Sequence, residues 1–345
     1  MPVFHLGFPS PSIADLQMKD NASLARLAEV LGFDVLWHSN ERFHREMFIR
    51  MASSAIATER IGIGGAVVEP FAVHPAVTAQ SLATLDELSG GRATLALGAG
   101  GSGFQMMGIN RRHSARAIRE TYGVIRGLLT GEAIDFDGEQ IQAHAARLQF
   151  SPGRRITLWV ATRGDWTLEN SGRYSEAVMI ATNASPRGLS VAIELIKKGA
   201  EQAGRSINDI RLMARVDTCV HADCDKAYQG ARPMVARFLA NSYPDDSFIR
   251  RAGLEVPPEV EALLARKDPG LLPQIAHAIP ETFISAFCWA GTPGMVAEQV
   301  IEVARATDIR EFGFWLLLAP GQSREEAARL LAGEVLPLVR AGMSG

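Results

Sequence analysis

Apolar positions along the chain alternate between two spacings. A short apolar run, Val3 to Phe8, meets a Pro/Ser turn at Pro9, Ser10 and Pro11. Leu24, Leu27, Ala28 and Leu31 then recur at the i, i+3, i+4, i+7 spacing of one helical face, which Gly32 ends. The same order of strand, turn and helix repeats. Val35 to Trp37 predicts a strand and Ile49 to Ala57 a helix, then Ile61 to Val68 a strand and Val77 to Leu88 a helix closed by Gly90 and Gly91. Thr94 to Gly101 reads as a glycine-rich strand end, after which Ile118, Tyr122, Ile125 and Leu129 share a helix face. Ile156 to Ala161, Glu176 to Ala181, Ile210 to Val220 and Phe312 to Leu318 complete eight strand candidates. Helices are expected around Thr167 to Ser171, over Leu189 to Ala203 and over 323–340, the last opening on Ser323 and Glu326 at capping-box spacing.

Two stretches depart from the alternation. In 134–142, short runs flank Asp137-Gly138, a strong turn pair, and predict a hairpin beside the main architecture. Residues 224–287 hold helical runs broken by Pro233, Pro244, Pro257-Pro258 and Pro280, too irregular for one strand-helix unit. Eight strands separated by helices in 345 residues fit an α/β fold, a (β/α)8 TIM barrel with insertions, whose active site is built by the loops after the strands. A doubly wound sheet is the rival. Its marker, GxGxxG after an early strand, is missing, because the first strand runs into Phe8-Pro9-Ser10-Pro11-Ser12; a Rossmann-type NAD site is therefore disfavoured.

With 47% apolar and 21% charged residues, the chain can bury one large core or two ordinary ones. A net charge of -3 offers no general attraction to polyanions, and the spacings of nucleic-acid-binding modules are missing, so no nucleic-acid partner is expected. No apolar stretch approaches the roughly 20 residues that span a bilayer, and the start MPVFHLGF lacks the basic and apolar regions of a secretory signal, so no membrane partner and a cytoplasmic location are expected. Cys219, Cys224 and Cys288 are too few and too scattered for a disulfide framework. His38, His44, His74 and the other histidines form no HExxH or comparable spacing, and no metal is expected; His74, just before Pro75, reads as a cap or packing residue. No serine sits in a GxSxG elbow.

Three glycine-bearing strand ends carry the candidate chemistry: Gly64 to Pro70, Gly98 to Gly103, and Ala161 to Asp165. Missing side chains let a planar ring or a phosphate approach the backbone, and N–H groups at a following helix start attract anions. Any one of these runs taken alone is equally a turn without a ligand. The third is the most informative: Thr162 offers a hydroxyl, Arg163 a guanidinium and Gly164 a backbone donor just before a helix. Asp165 either caps that helix or pairs with Arg163, and if it faced a phosphate it would repel it. Arg111, Arg112, His113, Arg116 and Arg119 form a basic cluster that reads by default as a solvated helix face, with a landing site for an anionic cofactor tail as the alternative. Glu41 and Glu69 are the best-placed carboxylates, although a loop glutamate is as often a solvent or salt-bridge residue.

At these strand ends the sequence resembles the bacterial-luciferase-like flavin superfamily and, within it, is similar to the coenzyme F420-dependent methylenetetrahydromethanopterin reductases. The broad resemblance lies in residues 55–101, AIATERIGIGGAVVEPFAVHPAVTAQSLATLDELSGGRATLALGAGG. The narrower one lies in GSGFQMMGI (101–109), ATNASP (181–186), IKKGAEQAGRSINDIRLMARVDTC (196–219), SYPDDSFIRRAGLEVP (242–257) and AFCWAGTP (286–293). Covering nearly the whole chain in order, it implies one barrel domain over 1–345 with insertions around 102–112, 131–150 and 235–287.

The resemblance implies that a deazaflavin ring rests on a bulge with a non-prolyl cis peptide at Ala66-Val67, and that Arg163-Gly164-Asp165 is the phosphate loop, with Asp165 where a proline is common. It maps the acid–histidine pair after the second strand onto Asn40-Glu41, and a glutamate near the reductases' substrate onto Gly7. The implied cofactor contacts are Ser39, Asn40, Ala66, Val67, Gly98, Gly100, Thr162, Arg163 and Gly164, and the candidate catalytic acids are Glu41 and Glu69. The expected activity is an F420-dependent oxidoreductase moving a hydride between the deazaflavin C5 and an organic substrate such as a methylenetetrahydromethanopterin-like acceptor. An FMN-dependent luciferase-like monooxygenase or reductase and a noncatalytic flavin-binding scaffold stay open as alternatives. The expected partners are a small-molecule substrate and a second copy of the chain, as a homodimer or a dimer of dimers.

Overall fold

The computed structural model describes every residue except Ser102, Thr182, Ser344 and Gly345; Ser102 of the second glycine-bearing run thus lies outside the described residues. The strands are β1 (Val3–Gly7), β2 (Val35–Ser39), β3 (Gly62–Val68), β4 (Ala93–Leu97), β5 (Ile134–Asp137), β6 (Gln142–Ala146), β7 (Leu158–Thr162), β8 (Ala177–Ala181), β9 (Arg211–Val220), β10 (Cys288–Gly291) and β11 (Glu311–Leu316). β1, β2, β3, β4, β7, β8, β9 and β11 pair in parallel in that order, and β11 returns to β1, closing an eight-stranded barrel. Each of the eight coincides with a strand expected from the apolar pattern. The hairpin β5–β6 also forms, its second strand lying later than expected because four residues, 138–141, make the turn.

The barrel holds two apolar layers because successive side chains of a strand point to opposite faces. Inside are Trp37, Ala66, Ala96, Trp159, Ala177, Met179, Met213 and Trp315; outside, between strands and helices, lie Phe4, Leu6, Leu36, Ile63, Leu95, Val160, Val178 and Phe314. Three indoles fit into one barrel only where their neighbours carry no side chain. A Cβ at Gly64 would stand 2.6 Å from the Trp37 ring, one at Gly7 2.7 Å from Trp315, and one at Gly313 2.9 Å from Trp315. Two of the three indole N–H groups have partners inside the barrel, Trp37 donating to His5 Nδ1 at 3.0 Å and Trp159 to Thr94 Oγ1 at 3.0 Å.

Residues 224–287 form a helical excursion from the top of the barrel with a core of its own, in which Phe238, Phe248, Phe283 and Phe287 pack against Cys219, Leu317 and Ala319 at the ends of β9 and β11. One expectation is corrected here. Pro233 does not break a helix: Cys224–Ser242 runs through it. The proline is exposed while Ala231, Met234, Val235, Phe238 and Leu239 bury the other face, so packing outweighs the lost backbone bond. Just after this region β10, a strand the apolar pattern did not mark, pairs with Asp217–Val220 of β9. Elsewhere, Ser323 and Glu326 do form the capping box, and the last helical stretch passes through a π turn at Leu331–Val335.

Candidate functional site

The C-terminal ends of the barrel strands converge on one mouth, and its centre is a break in β3. The β3–β4 register shifts between Ala66 and Val68, leaving Val67 bulged, and the Ala66-Val67 peptide is cis, as the resemblance implied. Asn40, one residue past β2, clamps both ends of that peptide: its backbone N–H donates to the Ala66 carbonyl at 3.0 Å and its Nδ2 to the Val67 carbonyl at 3.1 Å. Ser39 is buried and its hydroxyl donates to the Phe8 carbonyl at 2.7 Å, tying the β2 end to the β1 end. His38 points the other way, into the helix layer, donating from Nδ1 to the Gly64 carbonyl and accepting at Nε2 from Ser54. Burial and the nearby Arg50 pull it down to about 3, so it is neutral and stands outside the mouth.

The β3 and β4 loops are braced by charge. Glu69 is buried, and its carboxylate accepts from Arg42 and from the backbone N–H groups of Phe71 at 2.6 Å and Ala72 at 3.1 Å. Such a saturated carboxylate holds a loop in place instead of presenting a free proton donor. Arg42 and Arg111 each lie 4.6 Å from the centroid of Phe104, and Arg111 also donates to the Ala99 and Gly100 carbonyls. Part of the basic cluster is therefore structural, with Arg116 paired to Glu139 of the hairpin. Gly98 allows Val67 to pack, since a Cβ there would lie 3.2 Å from that side chain, and Gly100 has φ +75 with Phe104 and Glu69 against it.

Glu41 differs from Glu69 in every respect that matters to acid chemistry. Its carboxylate accepts no hydrogen bond from a described residue and lies beside Gly101, where an added Cβ would stand 3.5 Å from Oε2. Burial pushes it above the usual carboxylate range, against the opposing pull of His44, Arg237, Arg42 and Arg215.

On the other side of the mouth, β7 ends at Thr162 and the helix Asp165–Tyr174 begins after Gly164 with no side-chain cap. The Thr162 hydroxyl and the Arg163 guanidinium make no hydrogen bond among the described residues. Arg163 sits 5.6 Å from the Phe248 ring centroid and 5.8 Å from that of Phe238, and burial first, then Arg215, draws it below its ordinary value. Asp165 pairs with neither Arg163 nor the helix amides. Its partner is Arg251, from the excursion.

Sequence reasoning singled out Gly7 but missed Trp315, Arg215 and Asp217, which close the mouth around it between β9 and β1. Gly7, Trp315 and Asp217 are register partners across β1, β11 and β9. Trp315 covers the space over Gly7, Arg215 stacks 4.6 Å from the Trp315 ring, and Asp217 holds Arg215 from both guanidinium nitrogens at 2.7 and 3.2 Å. Burial raises the Asp217 carboxyl, with Arg215 opposing. The alternation Met213, Arg215, Asp217 on an inward strand face is the signal that marked them.

The family described as luciferase-like monooxygenase matches residues 1–309. A 5,10-methylenetetrahydromethanopterin reductase from Archaeoglobus fulgidus is 30% identical over 336 residues, covering 95% of this chain and 98% of that protein. An F420-dependent glucose-6-phosphate dehydrogenase from Beutenbergia cavernae is 27% identical, covering 98% of each chain. The coenzyme F420-dependent tetrahydromethanopterin reductase structure from Methanopyrus kandleri superposes with a TM-score of 0.83 at 25% identity, covering 97% of this chain and 99% of the other.

Proposed function

The chain belongs to the luciferase-like monooxygenase family, and from that premise we propose that it is a coenzyme F420-dependent oxidoreductase formed as one barrel domain over residues 1–345. The observation that carries this reading is the Asn40-clamped bulge at Ala66-Val67 on the same rim as an uncapped helix start with an unbonded Thr162 and Arg163. These residues fit the group. The bulge and Gly98 offer a surface for a flat ring, and the Thr162 hydroxyl, the Arg163 guanidinium and the free N–H groups at the helix start offer donors for its phosphate. Bound F420 supplies a hydride carrier at C5 of its deazaflavin ring.

The protein's own part is to position and to exclude water. Asn40 fixes the bulge, Glu69 with Arg42 fixes the loop behind it, and Trp315 walls the substrate side. Where the resemblance implied a glutamate at position 7, this chain has Gly7 under an indole, so an acid has to come from elsewhere on the rim. Glu41, half-buried and without a hydrogen-bond partner among the described residues, is the residue that holds such a proton. The substrate is a small organic acceptor, and the relatives' names make methylenetetrahydromethanopterin the first compound to assay.

Titration with F420 and with FMN, read by tryptophan fluorescence, tests the assignment; Trp166, in the first turn after Gly164, is a local reporter. F420 is expected to bind and FMN not. Binding of FMN alone moves the protein to FMN chemistry, and binding of neither leaves the noncatalytic scaffold.

We also propose a homodimer or a pair of dimers, supported by exposed apolar side chains on two adjacent helices, Met47–Ala57 and Pro75–Leu88. Three unpaired thiols support a reducing, cytoplasmic location. No helix among the described residues is long and apolar enough to cross a membrane.

A further inference from the structure

An acidic residue in the first turn of a helix that receives a phosphate is an electrostatic contradiction, since its charge opposes the ligand that the free N–H groups attract. Asp165 stands at that position. The excursion resolves the conflict. Its short helix Ser247–Arg251 inserts Arg251 so that the side chain is only 2% exposed, with one guanidinium nitrogen paired to the Asp165 carboxylate and the other donating to the Arg163 carbonyl at 2.7 Å. The third nitrogen, Nε, is buried with no partner among the described residues. Phe248 of the same helix packs beside the Arg163 guanidinium, so one element fixes both the charge and the orientation of the loop.

We propose that Arg251 is a positioning residue for the cofactor's phosphate: it neutralises Asp165, holds the Thr162–Asp165 loop through the Arg163 carbonyl, and so makes binding of the anionic tail depend on docking of the 224–287 excursion. Only the arginine of this pair is enclosed, the Asp165 side chain being 49% exposed toward the mouth, so removing Arg251 uncovers a carboxylate charge at the helix start where the phosphate would sit. Arg251→Ala leaves an unpaired carboxylate at the phosphate position, whereas Asp165→Asn leaves a spare cation there. This inference rests on the F420 assignment, and its test separates the two.

Dissociation constants are measured by fluorescence for F420 and for the deazariboflavin core that lacks the phosphate. Arg251→Ala is expected to weaken F420 about tenfold or more while core binding stays within about twofold, and adding Asp165→Asn to it is expected to recover most of the loss. Asp165→Asn alone, which keeps the buried arginine and protects against a folding failure of Arg251→Ala, is expected to tighten F420 and leave the core unchanged. Equal losses for both ligands, no recovery in the double variant, or an F420 affinity that does not rise in Asp165→Asn each overturn the inference. Wild-type protein that binds the core but not F420, or neither, overturns the F420 assignment and this inference with it.

Discussion

At the scale of single residues, the mouth is shaped by which positions lack side chains. Gly7 faces Trp315 so closely that an added Cβ would stand 2.7 Å from the indole. Gly7→Ala is therefore expected to lower stability by about 1–3 kcal/mol, as overpacking does, with part of the loss returned by Trp315→Leu; urea unfolding of the single and double variants reads this. The two glutamates separate by environment, one saturated and one unbonded. Glu41→Gln is expected to leave F420 affinity nearly unchanged and to reduce turnover by about tenfold or more once a substrate is assayed. Because burial raises the Glu41 carboxyl, its stabilising contribution is fully present below the ordinary glutamate range and is lost as pH rises through the raised value. Thermal melts should then show Glu41→Gln gaining on wild type at pH 8 and not at pH 4. Glu41 was legible in the sequence because it follows a strand directly. The saturation of Glu69 was not, since its partners Arg42, Phe71 and Ala72 meet it only once the loops fold.

At the scale of elements, the eight barrel strands were readable because each is a short apolar run set off by turn residues or by a helical stretch. β10 was not, for two reasons: it has only four residues, and its pairing with β9 is non-local. The helix Cys224–Ser242 shows the opposite failure, in which a local rule is overridden by packing on one buried face. That override has a measurable cost. Pro233 is exposed and lacks the N–H that the i−4 carbonyl of Gln229 would accept, and a proline inside a helix costs roughly 3 kcal/mol, partly offset by its smaller unfolded-state entropy. Pro233→Ala is expected to stabilise the protein by about 1–2 kcal/mol in urea unfolding; a destabilised variant would show that the native helix is bent to suit the proline.

At the scale of the whole molecule, the barrel assigns separate duties to its ends and its flank. The mouth takes the glycine loops, the unbonded donors and the buried acids, while the excursion over β9 and β11 contributes Arg251 and the aromatic wall around Arg163. The flank formed by the helices after β2 and β3 has neither duty, yet it carries Ile49 at 62% and Ile56 at 73% exposure, two turns apart on one helix face, with Val77 at 51% and Leu88 at 49% on the neighbouring helix. Isolated exposed apolar residues need no explanation, but four on two adjacent helices make this flank the face to test for a symmetric partner. Light scattering of wild-type protein is expected to give a dimer or a tetramer of the 37.3 kDa chain. Ile49→Glu with Ile56→Glu places two like charges on each copy of that face and is expected to give monomer with an unchanged circular dichroism spectrum. Wild type found only as monomer refutes the assembly, and an intact dimer in the double variant moves the interface to another face.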